Sequence, residues 1–478
     1  MRRIWILGLV FLLLSSVLPT AVTASSEHRY RLTVVFRGNA LPAGARGELE
    51  KTGAKVIGGV PEVGVIEAEG SSNLIPLLQK VTGVQYVAPS LTWQLQIRKS
   101  MVHPNSAPSA TAGPGDLYSA FQWDIKQVTE NGASWRINSG SHRTAVGIID
   151  TGVNTLHRDL AANLLGGRNF VPAGTNGDPS ETGDPNDYVD RFGHGSHVAG
   201  SIAGNGRIYG VGPNLGFRSY RVFGADGGAD TSWITAAMIA AANDGVDVIS
   251  MSLGGYDVLG KVTWTDPTTG QTYDLGDDHA DLVAWKRAFH YVSEHDIVVV
   301  AAAGNDGIDA GNPRAVIDFL NGIYGPQGYH FQGQGFEVPA GIRGAVAVSA
   351  TGPDSNLTSY SNYGKGFITV AAPGGDFKRY PVGDWYTDMC LSAYMDPGDG
   401  LSHYIWMAGT SMAAPKAAAT AALFIDQQKK GGERPDPEET IRQLRRGAID
   451  LGRPGYDPYF GYGLVNAYRT LKSAGKED

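Results

Sequence analysis

The sequence predicts an α/β fold with a mostly parallel sheet covered by helices on both faces, preceded by a small α+β domain. From residue 121 onward, continuous apolar runs alternate with segments of helical pattern, which is typical of such a sheet. Glycine is very frequent (65 residues) and charged residues are few (18%), as in a tightly packed, loop-rich globular protein. At 478 residues the chain is long enough for a large core and more than one domain.

The first segment, residues 1–24, predicts a secretory signal. Two arginines supply the positive start, residues 4–18 the apolar core and residues 22–24 a small-residue cleavage site. A signal anchor is the alternative, and the small-residue cleavage site argues against it. No later stretch is long and apolar enough to span a bilayer, so we expect a released, extracellular protein. Cys390 is the only cysteine, which excludes an intramolecular disulfide.

A small separate domain is expected over residues 25–97. Its pattern gives the order strand, helix, strand, strand, helix, strand, which is typical of a ferredoxin-like α+β unit. The strands are expected at residues 30–36, 55–58, 63–68 and 85–88, and the helices at 43–52 and 73–81. Residues 98–118, rich in Pro, Ser, Ala and Gly, indicate a linker of the kind that proteases cut.

The larger domain, residues 119–478, carries the strand–helix alternation. Strands are expected at residues 144–149, 219–223, 246–251, 297–302, 345–350 and 368–371, and helices at 195–204, 231–244, 280–295, 412–428 and 438–446. Insertions near residues 256–279, 307–338 and 374–403 interrupt it, the first with a hairpin pattern at 261–275. Because functional loops lie at the carboxyl ends of parallel strands, these insertions either shape a cleft or are solvated surface.

Residues 407–415 are mostly small and place Ser411 at the start of a predicted helix. We expect Pro415 in its first turn, where a missing N–H costs little, and Gly431 and Gly432 at its end. A helix start offers free N–H groups and the positive end of a dipole, which suits a nucleophile that generates an oxyanion. The alternative is that Ser411 only caps the helix.

Three further polar residues stand at expected element ends. Asp150 and Asn305 follow apolar strands, where an ordinary turn residue is the alternative for each. His194 opens a small-residue helix, and it either pairs with His197 at a metal or acts alone while His197 is structural. A serine nucleophile needs a base, the base needs an orienting carboxylate, and the oxyanion needs donors.

The segments around Asp150, His194, Asn305 and Ser411 resemble those of the subtilisin-like serine peptidases. The aspartate, histidine and serine also occur in that family's order along the chain. The resemblance covers roughly residues 119 to 472 and implies the family's three-layer α/β fold. The matching motifs are residues 150–153, 194–200, 252–255, 302–305, 359–364, 371–375, 409–415 and 461–467.

The resemblance implies a role for each candidate residue. Ser411 is the expected nucleophile, His194 the general base and acid, and Asp150 the carboxylate that orients it. The Asn305 side chain and the Ser411 backbone N–H are the expected oxyanion hole. In a subtilisin, loss of the asparagine donor lowers turnover by about 10²–10³.

The resemblance also implies how a peptide binds and how the enzyme is controlled. Ser252, Leu253 and Gly254 are the expected substrate-binding strand, which would pair with an extended peptide. Residues 29–97 resemble the family's inhibitory propeptide, with a permanent accessory domain as the alternative. We expect the partners to be peptide or protein substrates and this propeptide, and the enzyme to be a monomer. The net charge of −8 offers no basic surface for nucleic acid.

The sequence departs from the family pattern in places. Asp159 matches a position that often binds calcium, whereas the loop at residues 205–209 is shorter than the family's calcium loop. Structural calcium is therefore possible, and catalysis is expected to need no cofactor or metal. Ala408 and Lys416 replace residues that are more often Ser and His, neither of them catalytic.

The leading hypothesis is a secreted serine endopeptidase that is made as a self-inhibited precursor. A catalytically silent relative would not need the intact set of candidate residues. An esterase or lipase usually carries Gly-x-Ser-x-Gly, and here Ala413 occupies the last position. A metallohydrolase would use His194 and His197, and a chelator would inhibit it.

Overall fold

The computed structural model describes residues 29–89, 92–94, 113–267, 270–395 and 402–474. The expected signal (1–24) and residues 98–112 of the expected linker lie outside the described residues. The strands are β1 Arg29–Phe36, β2 Lys55–Val60, β3 Val65–Ser71, β4 Val84–Pro89, β5 Thr92–Gln94, β6 Ala145–Asp150, β7 Leu164–Asn169, β8 Gly216–Arg221, β9 Gly228–Asp230, β10 Val248–Met251, β11 Gly255–Thr265, β12 Thr272–Gly276, β13 Val298–Ala302, β14 Tyr329–Val338, β15 Ala345–Thr351, β16 Val370–Pro373, β17 Cys390–Met395 and β18 Ser402–Met407. The helices are α1 Ala45–Glu50, α2 Ile75–Leu78, α3 Asp116–Phe121, α4 Trp123–Thr129, α5 His194–Ala203, α6 Thr231–Asn243, α7 His279–Ser293, α8 Pro313–Tyr324, α9 Thr410–Gly431, α10 Pro437–Gly447 and α11 Ala467–Ala474.

The N-terminal strands form an antiparallel sheet in the order β2-β3-β1-β4, which with α1 and α2 gives the ferredoxin-like topology. One face packs around Leu32 and Phe36 into a core of its own, and the other face packs on α6 and α7. The helix expected at residues 73–81 is only the short α2, because Pro76 fits only the first turn of a helix. The expected linker also ends earlier, since α3 begins at Asp116.

The central sheet of the described chain is parallel, in the order β16-β15-β13-β10-β6-β8-β7. Its chain order reverses at β6, because the next two strands extend the sheet on one side and β10 and later strands extend it on the other. A crevice forms at the carboxyl end of the strands at such a reversal, and ligands bind there in open α/β sheets. The fold therefore places its ligand crevice beside β6 and β10.

Alternate residues of the strands face two helical layers. In β13, Val298 and Val300 pack with α5 and α9, whereas Val299 and Ala301 pack with α6 and α7. Continuous apolar strands need burial on both faces, and this arrangement provides it. The expected three-layer α/β fold is confirmed.

The insertions form secondary structure that the sequence pattern indicated only in part. The hairpin expected at residues 261–275 is present as β11 and β12, and β14 pairs antiparallel along β11. The second insertion also supplies α8, and the third supplies the β17–β18 hairpin. The edge strand β7 was not predicted, because its two glycines have low strand propensity.

The helix that carries Ser411 is longer than predicted and starts earlier. It begins at Thr410 and ends at Gly431, where Gly432 takes the left-handed conformation (φ 88°) as a C-terminal cap. It spans 22 residues, but neither it nor any other helix in the described ranges combines the length and apolarity needed to cross a membrane.

The early start changes the position of Pro415, which is the sixth residue of the helix rather than part of its first turn. A proline there has no N–H to donate to the carbonyl four residues earlier, which belongs to Ser411. That carbonyl instead accepts a hydrogen bond from Ser252 Oγ at 2.8 Å. Pro415 thus frees the carbonyl of Ser411 for a contact with the sheet.

A buried ion pair joins α9 to α4. Lys416 Nζ lies 2.8 Å from Asp124 Oδ2, and both side chains are almost fully buried. The ammonium also donates to the carbonyl of Met412 at 2.8 Å and lies 3.5 Å from Cys390 Sγ. Burial lowers the pKa of Lys416, but the charge of Asp124 and the contact with Cys390 outweigh it, so the pKa lies above its ordinary value. Lys416 therefore remains charged.

We expect Lys416→Met to destabilise the protein by about 3–5 kcal/mol, because it leaves the buried carboxylate of Asp124 without its counter-ion. Urea unfolding in the Ser411→Ala background, which prevents self-digestion, measures the change. The control is the double variant Lys416→Met with Asp124→Asn, which should lose clearly less stability. A double variant as unstable as the sum of the two single variants would contradict the ion pair.

Candidate active site

The crevice at the sheet reversal gathers the residues that the sequence singled out. Asp150 is the last residue of β6, Ser252 directly follows β10, and Asn305 lies three residues after β13. These three strands are neighbours in the sheet, and Ser411 lies in the first turn of the helix that packs across them. Side chains far apart in sequence therefore converge at one edge.

Asp150 and His194 are joined directly. His194 Nδ1 lies 2.7 Å from Asp150 Oδ1, and both side chains are 1% exposed. The same oxygen accepts a hydrogen bond from the backbone N–H of Thr151 at 2.7 Å. Because the carboxylate is an acceptor, this contact favours the tautomer with the proton on Nδ1 and leaves Nε2 with a free lone pair.

The start of α5 is held against the end of β6 by a glycine and an aspartate. A Cβ atom on Gly195 would lie 2.1 Å from the carbonyl oxygen of Gly152, so only glycine allows this approach. Buried Asp190 accepts from Thr151 Oγ at 2.9 Å and from Ser196 N–H and Oγ at 2.9 and 2.6 Å. Asp190 was not among the residues predicted from the sequence, although an aspartate shortly before a helix is a known start signal.

Ser411 is the second residue of α9 and is 8% exposed. Its Oγ donates to the carbonyl oxygen of Ser252 at 3.1 Å, while Ser252 Oγ donates to the carbonyl of Ser411. Among the hydrogen bonds of the described residues none joins Ser411 to His194, although α5 packs against α9. The Ser411 hydroxyl is therefore engaged with Ser252 and not with the imidazole in this structure.

The side chain of Asn305 is oriented by the residue before Ser411. Its Oδ1 accepts from the backbone N–H and the hydroxyl of Thr410 at 2.8 and 2.9 Å. The Asn305 amide nitrogen is thereby left to donate elsewhere. A Cβ atom built on Gly409 would lie 3.6 Å from each of Asn305 Nδ2, Asn305 Oδ1 and Ser411 N, so the amide group of Asn305 and the Ser411 N–H lie close to the same point.

Ser252, Leu253 and Gly254 leave the sheet together at the crevice. Ser252 and Leu253 are buried, whereas Gly254 is exposed. A backbone that becomes exposed at a glycine can pair with an extended peptide at close range.

The environment of His197 is that of a structural histidine. The ring is fully buried, and its Nε2 lies 3.1 Å from the carbonyl oxygen of Cys390. Burial and the positive charge of Lys416 lower the pKa of His197 to about 3, so the ring stays neutral. In the described ranges no group of three or more His, Cys, Asp or Glu side chains is arranged to hold a metal ion.

Asp159, the residue expected to be able to bind calcium, is engaged by protein donors. Its Oδ2 accepts from the backbone N–H groups of Arg207 and Ile208 at 3.0 and 3.1 Å and from Tyr404 O–H at 2.8 Å. The short loop at residues 205–209 thus donates directly to the carboxylate. The residues at this position do not fit a calcium site in this conformation.

Several known proteins are similar to this chain in sequence. A model of the subtilase family matches residues 141–463. The epidermin leader peptide-processing serine protease EpiP of Staphylococcus epidermidis is 29% identical over 428 residues, 86% of this chain and 87% of the relative. The nisin leader peptide-processing serine protease NisP of Lactococcus lactis is 33% identical over 64% of this chain, which spans 44% of that relative.

Solved structures show the same fold. The crystal structure of EpiP from Staphylococcus aureus has 30% identity and a TM-score of 0.75, covering 94% of this chain and 99% of that one. The structure of the nisin leader peptidase from Lactococcus lactis has 30% identity and a TM-score of 0.62, covering 74% and 94%. The chain therefore belongs to the subtilase family, the subtilisin-like serine endopeptidases.

Proposed function

We propose that this peptidase hydrolyses peptide bonds through an acyl-enzyme formed on Ser411, with His194 and Asp150 completing the triad. The observation that carries the proposal is the buried 2.7 Å contact between His194 Nδ1 and Asp150 Oδ1. It fixes the imidazole in the tautomer that a general base needs, at the crevice where Ser411 stands in the first turn of α9.

The reaction proceeds in two halves. His194 Nε2 removes the proton of Ser411 as Oγ attacks the substrate carbonyl, and the imidazolium then protonates the departing amine. Asp150 stabilises the imidazolium without taking its proton. A water molecule, activated by the same imidazole, releases the acyl group. The Asn305 side chain and the Ser411 N–H stabilise the oxyanion in both halves.

The substrate we propose is an extended peptide segment. Such a segment would add as a strand beside residues 252–254, where Gly254 leaves its backbone accessible. The epidermin and nisin relatives are named for processing leader peptides, which supports a peptide segment of this kind as the substrate class.

We further propose that the enzyme is secreted as a precursor that its N-terminal domain inhibits. The sheet of residues 29–89 packs on α6 and α7, and Arg287 donates to the carbonyl oxygens of Phe36 and Val63 at 2.8 and 2.9 Å. β5 pairs antiparallel with β9, which directly precedes α6. Cleavage in the following linker would free the active site, and the signal-like residues 1–24 support export.

A fluorophosphonate probe, which reacts with an activated serine, should label the wild-type protein. We expect stoichiometric labelling together with cleavage of an unstructured protein such as casein. Ser411→Ala should show neither activity. Labelling accompanied by hydrolysis of small esters but not of casein would favour an esterase. Inhibition by a chelator without any labelling would favour metal-dependent chemistry.

Asn305→Ala should lower kcat by about 10²–10³ with little change in KM, because the donor acts on the oxyanion rather than on the bound substrate. Steady-state kinetics on a peptide substrate measure the effect, and circular dichroism checks that the fold is intact. A loss that appears mainly in KM would contradict this role.

Arg287→Ala should shorten the delay before activity appears, because two hydrogen bonds from a charged donor to the N-terminal domain are lost. We expect roughly tenfold faster release of the cleaved domain. The delay is measured from precursor to full activity, with size-exclusion chromatography following the domain. Lys286→Ala, on an exposed neighbouring residue of the same helix, is the matched control. Equal delays in both variants would argue against an inhibitory domain.

A further inference from the structure

The segment at residues 359–364 contributes none of the proposed catalytic residues, yet its Asn362 is fully buried against one of them. The backbone and the side chain of Asn362 make hydrogen bonds to the loop at residues 304–308, which follows β13. This loop carries Asn305, the proposed oxyanion donor. A buried polar side chain always needs partners, so burial alone has a simple explanation. The choice of these particular partners needs a further one.

Asn362 holds both peptide groups that flank Asn305. Its backbone N–H donates to the carbonyl oxygen of Gly304 at 3.0 Å, which belongs to the peptide group before Asn305. Its Oδ1 accepts from the N–H of Asp306 at 3.1 Å, which belongs to the peptide group after Asn305. Peptide groups are planar, so the orientations of these two set the backbone angles of the residue between them. One residue therefore fixes the backbone of the oxyanion donor from both sides.

The rest of the loop closes around the same side chain. Asn362 Oδ1 also accepts from the N–H of Ile308 at 3.2 Å, so it joins the two ends of the turn that follows Asn305. Gly304 has a φ of 98°, and a Cβ atom on it would lie only 2.3 Å from Asn362 Nδ2. A glycine at this position thus permits both the backbone conformation and the approach of the Asn362 amide.

Tyr256 in turn holds the amide of Asn362. Asn362 Nδ2 donates to the Tyr256 hydroxyl at 2.9 Å, and this hydroxyl donates to Asp306 Oδ2 at 2.6 Å. Burial and the charge of Asp306 raise the pKa of Tyr256 well above its usual range, so the hydroxyl keeps the proton that it donates. Tyr256 lies at the start of β11, close in sequence to the proposed peptide-binding segment. The contacts at both ends of the Asn362 amide therefore fix which way its oxygen points.

We propose that Asn362, held by Tyr256, is a positioning residue that fixes the amide of Asn305 where the oxyanion forms. This inference rests on the proposed peptidase function and concerns how that site is built. The side chain of Asn305 is held separately, because its Oδ1 accepts from the N–H and the hydroxyl of Thr410. Donors stabilise an oxyanion best when they are in place before the charge develops. Asn362 is buried and acts only through Asn305.

Asn362→Ala should lower kcat roughly 10–100-fold with little change in KM, because a displaced donor weakens the transition state and not substrate binding. Steady-state kinetics on a peptide substrate measure the effect. Each rate is normalised to the enzyme that the fluorophosphonate probe labels at Ser411 after complete reaction. Asn362→Asp keeps an acceptor for the two N–H groups of the loop and should recover most of the lost kcat.

The matched control is Asn163→Ala, which removes another buried asparagine. Asn163 Nδ2 donates to the carbonyl oxygens of Ala203 and Pro213 at 2.8 and 2.7 Å. The residue directly precedes β7, at the amino edge of the parallel sheet, whereas the active site lies at the carboxyl edge. This variant should lose stability and keep the wild-type kcat.

A double-mutant cycle tests whether Asn362 acts through Asn305. Once Asn305→Ala has removed the donor, its backbone position no longer matters for the oxyanion. Adding Asn362→Ala should then change kcat by less than roughly threefold, whereas independent effects of the two residues would multiply.

The possible results separate the two proposals. A labelled wild-type enzyme whose kcat is unaffected by Asn362→Ala would overturn the role of Asn362 and leave the peptidase function intact. Losses that multiply in the double variant, a loss mainly in KM, or an equal loss of kcat in Asn163→Ala would overturn that role as well. A wild-type protein that shows neither labelling nor cleavage would overturn the peptidase function and this inference with it.

If Asn362→Ala does not fold, Tyr256→Phe decides in its place. This change removes the hydroxyl that accepts from Asn362 Nδ2 and donates to Asp306. It should lower kcat roughly threefold, as expected for the loss of a neutral hydrogen bond, and the effect should vanish in the Asn305→Ala background. An unchanged kcat in Tyr256→Phe, or a loss that persists without the Asn305 amide, would overturn the inference.

Discussion

The active site depends on the reciprocal contact between Ser252 and Ser411. Pro415 has no N–H, so the carbonyl of Ser411 lacks its usual partner inside the helix and accepts from the Ser252 hydroxyl instead. The Ser411 hydroxyl donates back to the Ser252 carbonyl. A helix start is thereby fixed to the end of a central strand, at the point where the sheet order reverses. One pair of hydrogen bonds holds Ser411, the proposed nucleophile, beside residues 252–254, the proposed peptide-binding segment.

Much of this arrangement follows from sequence patterns of short range. The alternation of apolar strands and helices predicts a parallel sheet, and in such a sheet the carboxyl ends of strands meet at one edge. Asp150 and Asn305 were therefore predicted to lie at the same edge of the sheet. The contact of Asp150 with His194 agrees with a site at this edge. The antiparallel hairpin in the first insertion was predicted too, because turn residues and alternation are local signals.

Other features could not be predicted because they depend on partners distant in sequence. The start of α9 was predicted too late, because its first residue, Thr410, donates its hydrogen bonds to Asn305, which lies far away in the sequence. The structural role of Lys416 could not be predicted either, because its ion-pair partner Asp124 lies far away in the sequence. The position of Glu337 beside Gly254 depends on the pairing of β14 with β11, which joins residues far apart in the sequence.

Two buried ionisable side chains, Lys416 and Glu337, differ in how the cost of their burial is compensated. The ammonium of Lys416 is compensated by Asp124 and by the carbonyl of Met412, so its charge is neutralised whether or not a substrate is present. Glu337 Oε1 has no hydrogen-bond partner among the described residues, and burial raises the pKa of this carboxyl group well above its usual range. Its burial is therefore eased by protonation rather than by a counter-ion.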